Sequence, residues 1–180
     1  MEYADAKLSY EIRKRVGEHL LNARKSNKET LKQVESQVKI TSKIISLAER
    51  GEQNLTVRRL LRLAVHYRLN PCKLFTDCDE LEGNQEGKSV DTSESYYSRL
   101  AYNAHKEILR TPNLTISGVA IAMENSEDDR FTSASSLHKF FSGTMDVSIG
   151  FLIALASAVS DSKDQTKVAT LISKWFEKEE

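Results

Sequence analysis

Apolar positions recur at three- and four-residue spacing along most of this chain. No convincing run of alternating β-branched residues marks a strand, so the pattern predicts a nearly all-α protein. Ile12, Val16, Leu20 and Ala23 share one face and predict a helix over 10–24. Thr30 precedes Leu31, Val34 and Val38, an N-cap before a short second helix, and Ile40 follows in the turn. Thr41 heads a third helix that points Ile45 and Ala48 inward and stops at Gly51, which is suited to a left-handed C-cap. Thr56 opens a fourth, burying Val57, Leu60, Leu61 and Ala64. The segment 70–75 reads as a fifth, with Pro71 in first position and Leu74 and Phe75 closing the core.

The stretch 77–93, DCDELEGNQEGKSVDTS, has almost no apolar content and carries Gly83 and Gly87 among acids and amides. It reads as a solvated, flexible linker. Helical spacing then resumes. Tyr97, Leu100, Ala101, Ala104 and Ile108 predict a helix over 94–109. Pro112 and Thr115 open another with Ile116, Val119, Ala120 and Met123. After the acidic loop Glu127-Asp128-Asp129-Arg130, the run 132–143 ends on Gly143, and a longer helix is expected over 147–159. The last, over 165–178, lines up Val168, Leu171, Ile172, Trp175 and Phe176. The expected fold class is all-α: a five-helix bundle in 1–76, a linker over 77–93, and a second small helical domain over 94–180.

Charge sharpens this division. The formal net charge is zero, yet residues 1–75 hold 16 Lys and Arg against 8 Asp and Glu, and residues 76–180 hold 10 against 18. A basic half beside an acidic half is the pattern of a nucleic-acid-facing part joined to a part with another task.

The order of residues in the basic half carries more. The run Ile40-Thr41-Ser42-Lys43-Ile44-Ile45-Ser46-Leu47-Ala48-Glu49-Arg50-Gly51 resembles the recognition helix and following turn of the Cro and phage-repressor type of helix-turn-helix domain. Asn54-Leu55-Thr56, Leu60-Leu61-Arg62-Leu63-Ala64, Leu69-Asn70-Pro71 and Leu74-Phe75 continue the likeness, which covers residues 11–75. The resemblance implies a module whose third helix enters the major groove while the second braces across the backbone. It implies base contacts from Ser42, Lys43, Ser46 and Leu47, Lys43 being suited to guanine O6 and N7 and Leu47 to a thymine methyl. Arg50 and Asn54 match the family's phosphate-contacting positions, and Thr56, at a helix start, adds a hydroxyl and backbone N–H donors. Four positions depart from the pattern. Leu31 stands where a polar phosphate-gripping residue is usual, Glu35 where a small residue faces the third helix, Lys39 where Gly is common in the turn, and Leu47 in place of a polar reader.

The acidic half resembles a worn copy of the same domain. Gly143 overlays Gly51, Leu137 overlays Ile45, and Phe140 overlays Ala48. Without a further gap, Ile149, Leu152, Leu155 and Ala156 overlay Val57, Leu60, Leu63 and Ala64. Thr115 and Val119 match Thr30 and Val34 if the acidic loop is an insertion. Its acids repel phosphates, so this copy is expected to assemble or regulate rather than read DNA. Trp175 and Phe176, with Leu171 and Ile172, either close the C-terminal core or anchor a second subunit.

The expected function is therefore a sequence-specific DNA-binding transcriptional regulator, a repressor acting as a homodimer on two half-sites of double-stranded DNA. The alternative is a non-enzymatic protein-interaction regulator, an anti-activator or antitoxin-like chain, with a protein partner met by the bundle or the acidic domain. No nucleotide-binding Gly loop, His/carboxylate cluster or Ser-Lys pair supports an enzyme, and no cofactor or metal is expected. Cys72 and Cys78 match no zinc spacing and read as two thiols, and His19, His66, His105 and His138 read as ordinary helix residues. The N-terminal stretch lacks the apolar core of a signal peptide, and no apolar run nears the roughly 20 residues that span a bilayer. Cytoplasmic placement without membrane contact is the expectation.

Overall fold

Helical spacing in the sequence becomes nine α-helices in the residues described by a computed structural model, 2–76, 92–124 and 133–178, and these make an all-α protein. The first set comprises α1 (Glu2–Ser26), α2 (Leu31–Val38), α3 (Ser42–Glu49) and α4 (Val57–His66), closed by a 3₁₀ turn at Pro71–Lys73. The second comprises α5 (Ser93–Arg110), α6 (Ile116–Met123), α7 (Ala134–Phe141), α8 (Ile149–Ser160) and α9 (Gln165–Trp175). No described helix is long and apolar enough to cross a membrane. Residues 77–91 of the expected linker over 77–93, Cys78 among them, and the acidic loop 127–130 lie outside the described residues, while Thr92 caps α5 and Ser93 opens it.

Local chemistry accounts for the helix ends. Thr30 accepts from the Gln33 N–H, and the Gln33 side chain accepts from the Thr30 N–H at 2.7 Å, a capping box that fixes the start of α2. Lys39, the turn residue where Gly is common, takes the left-handed conformation at φ 56° and donates its N–H to the Glu35 carbonyl. Gly51 and Gly143 follow α3 and α7 at φ 73° and 71°, where a Cβ is disfavoured. α1 starts well before the expected residue 10 because Leu8, one turn ahead of Ile12, extends its buried stripe. The expected fifth helix is a single 3₁₀ turn, with the Asn70 side chain accepting from the Cys72 N–H at 3.0 Å.

The two sets share one continuous core rather than two separate ones. α1 packs on α3, α8 and α9, while α9 packs on α5, α8 and the 3₁₀ turn of the first set. Phe75 and Phe176 stack across this seam at 6.0 Å between ring centroids. The aromatic stripe of α9 is thereby accounted for. Trp175, Phe176 and Ile172 are buried at 1%, 0% and 0% exposure, and Leu171 is half-buried. A second-subunit anchor at Trp175, Phe176 and Ile172 is thus corrected to a closure of the chain's own core, because those side chains are spent inside it.

Corresponding elements of the two sets match in detail. α2 and α6, and α3 and α7, are eight residues each. Val34 and Val119, Ile45 and Leu137, Leu60 and Leu152, and Leu63 and Leu155 are all fully buried.

Candidate nucleic-acid interface

α3 is fixed from behind by α1. Gly17 makes this possible, since a Cβ there would lie 2.4 Å from the Ala48 carbonyl oxygen. At the far end, the Arg24 guanidinium grips the buried Glu49 carboxylate twice, at 2.6 and 2.7 Å, and also donates to the Glu29 carbonyl at 3.1 Å. A double charge-assisted pair of this kind sets rotation as well as distance. The outer face of α3 is consequently presented in one orientation.

The front of α3 starts with an unexpected cap. Thr41 makes no side-chain capping bond. The Glu35 carboxylate, reaching across the turn from α2, instead accepts from the Ser42 N–H at 3.1 Å and from the Ser42 hydroxyl. These bonds hold the Glu35 carboxyl below its ordinary pKa, and the carboxylate lies against the positive end of the helix. The acid at position 35 thereby acts as the cap of α3. It also spends the Ser42 hydroxyl's one hydrogen within the protein, leaving that oxygen to a base only as an acceptor.

The other residues expected to meet DNA divide into two groups. Lys43 is exposed and unpaired among the described residues. Ser46 accepts from Arg50 at 3.0 Å, and Arg50 pairs in parallel with both Glu52 carboxylate oxygens at 3.0 Å. Leu47 is half-buried. These four cluster on and beside α3.

Asn54 and Thr56 are elsewhere, at the junction of the two helical sets. The Asn54 side-chain oxygen accepts from the Gly150 N–H at 2.9 Å, and Thr56 forms an antiparallel bridge with Ser148. The Thr56 hydroxyl is buried with no hydrogen-bond partner among the described residues. A phosphate role for these two is corrected accordingly, since both face the second set of helices and not the outer surface of α3.

Sequence reasoning passed over the arginines of α4. Arg58, Arg59 and Arg62 share one face and line an open cleft of about 390 Å³ with Thr56, Ser93, Glu94 and Asp146. Arg58 donates to Glu94 at 3.1 and 3.3 Å and to the Gly143 carbonyl at 2.9 Å, and lies 4.1 Å above the Tyr97 ring. Arg62 donates to the Val38 carbonyl at 3.4 Å. Their spacing at i, i+1 and i+4 was the available signal. Arg58 is a brace between the helical sets, whereas Arg59 adds positive charge to the cleft. Burial in turn pushes the Tyr97 phenol above its ordinary value, and its hydroxyl donates to the Met145 carbonyl.

Comparison with protein-family models, curated proteins and solved structures finds no match to this chain.

Proposed function

We propose that the chain is a sequence-specific DNA-binding transcriptional regulator, a repressor, whose α3 enters the major groove. The observation that carries this reading is Lys43, exposed and unpaired among the described residues on the first turn of a helix rigidly backed by α1, in the half with twice as many cations as acids. An ammonium so placed can donate to guanine O6 and N7. Arg50 supports the reading as a phosphate contact, its exposed pairing with Glu52 being of the weak surface kind that a phosphate can displace.

A non-enzymatic protein-interaction role is the second reading. It is favoured by Glu35, which places a negative charge at the start of α3, and by the exposed apolar side chains Leu109 and Ile121 of the second set. Titration of labelled duplex at two salt concentrations separates the readings. Groove docking predicts affinity that falls steeply as salt rises. Lys43→Ala is expected to lower the preference for one base position by about 5- to 100-fold. Unchanged affinity and preference in both Lys43→Ala and Arg50→Ala would sink the groove-docking model.

A further inference from the structure

The junction between the helical sets is reciprocal. Val57 N–H donates to the Val147 carbonyl at 2.7 Å, and Ile149 N–H donates to the Leu55 carbonyl at 2.8 Å. Arg58 N–H donates to the Asp146 side chain at 3.1 Å, and Gly150 N–H donates to the Asn54 side chain at 2.9 Å. In every pair the positions exchange under one offset of 92, as 54 with 146, 56 with 148 and 58 with 150. The bonds satisfy the first N–H groups of α4 and α8, donors that a helix cannot satisfy internally. Each helix start is completed by the opposite set.

Contact of i with j and of j with i is the signature of a twofold, isologous interface. Such interfaces ordinarily join two identical chains; here both sides belong to one. Residues 54–58 are occupied by 146–150 of the same molecule, so a second copy has no access to them. A twofold also places the elements it exchanges at equal height along its axis. α3 and α7 are such a pair, each followed by its left-handed glycine five residues before the bridging residue, Gly51 before Thr56 and Gly143 before Ser148.

On α7, the positions corresponding to Lys43, Ser46 and Leu47 are Ser135, His138 and Lys139, and all three are exposed. α7 contains no carboxylate. Its outer face therefore offers a hydroxyl, an imidazole and an ammonium, groups suited to base edges and phosphates.

We infer that one chain holds both reading helices of a paired DNA-binding unit and engages duplex DNA as a monomer, α3 on one half-site and α7 on a second, unlike one. The inference rests on the DNA-binding reading above. It replaces the expected homodimer with an internal pair, and it reverses the expectation that the acidic half does not read DNA, because the acids of that half are absent from α7 itself.

The test uses the full chain and duplexes selected from random sequence. The free chain is expected to sediment at its own mass of 20.4 kDa, and the complex to contain one chain per duplex. The footprint should cover two unlike half-sites about 34–36 Å apart. Lys43→Ala should relax sequence preference in one half-site only. A His138→Ala, Lys139→Ala double variant, changed only at exposed helix positions, should relax it in the other by about 5- to 100-fold. Two chains per duplex, or a footprint and preference unmoved by the α7 variant, would overturn this inference and leave the α3 reading standing. No salt-dependent binding to any duplex would overturn both.

Discussion

α3 and α7 share length, extended N-cap and left-handed glycine, but their surroundings hold them by different means. Glu49, near the end of α3, is ion-paired with Arg24. Its counterpart on α7 is Phe141, stacked on His105 with ring centroids 4.6 Å apart. Ala48 on α3 corresponds to Phe140 on α7, which packs edge-on against Tyr97 at 6.1 Å and Phe151 at 5.6 Å. A Cβ at Gly51 would lie 2.6 Å from the Lys14 Cα, whereas one at Gly143 would meet nothing within 4 Å. One backbone plan is thus compatible with a polar lock under close helix approach or with aromatic packing under an open turn. The polar lock orients more sharply, because two parallel hydrogen bonds fix an angle that stacked rings leave loose.

The most severe break in this comparison is expected from Arg24→Ala. It leaves a buried carboxylate uncompensated and should lower unfolding free energy by about 3–5 kcal/mol in urea titrations. The matched change in the second set, His105→Ala, removes one ring contact and should cost about 1 kcal/mol. Equal losses would mean that the two helices are held alike after all.

Next in size is the glycine pair. Gly51→Ala and Gly143→Ala each place a Cβ in the left-handed region, at about 1–2 kcal/mol. Only Gly51→Ala also drives that Cβ into the α1 backbone, which should add about 1–3 kcal/mol. Thermal unfolding of the two variants side by side checks the difference, and a larger loss at Gly143 would contradict it.

The smallest effect concerns the junction. Hydrogen bonding to Arg58 holds the Glu94 carboxyl below its ordinary value. A depressed carboxylate contributes stability that is present above its unfolded pKa, about 4.3, and lost as pH falls through the lower folded value. Glu94 is mostly exposed, so the contribution is modest. Glu94→Gln should flatten the acid side of a stability profile between about pH 5 and 3. An acid limb as steep as that of the unaltered chain would remove Glu94 from the junction's energetics.

Periodicity and caps made most of the fold legible. Thr30, Gly51, Thr115 and Gly143 mark element ends through local chemistry that a sequence displays directly. Glu35 was legible only as an oddity, because its bond to Ser42 spans a turn and depends on how α2 meets α3. Asn54 and Thr56 depart from the family's pattern for a related reason. A motif describes what a single domain does with its residues, and these two serve a neighbouring set of helices that lies beyond the motif. The overlay of Gly143 on Gly51 already contained the register of the junction. What it lacked was the antiparallel sense in which the two helical sets meet, which no amount of spacing along one chain supplies. The stripe of α9 was visible as apolar, but helical spacing alone does not say whether such a face meets its own chain or another.

The reciprocal bonds between residues 54–58 and 146–150 lie within one covalent molecule. Mass action consequently has no hold on them. Two separate chains pair in proportion to their abundance and drift apart on dilution, whereas surfaces of one covalent molecule meet at an effective concentration that dilution does not change. The paired state is then populated to the same extent at a handful of molecules per cell as in a concentrated solution. Its occupancy can be altered by sequence, pH or a ligand, but not by expression level.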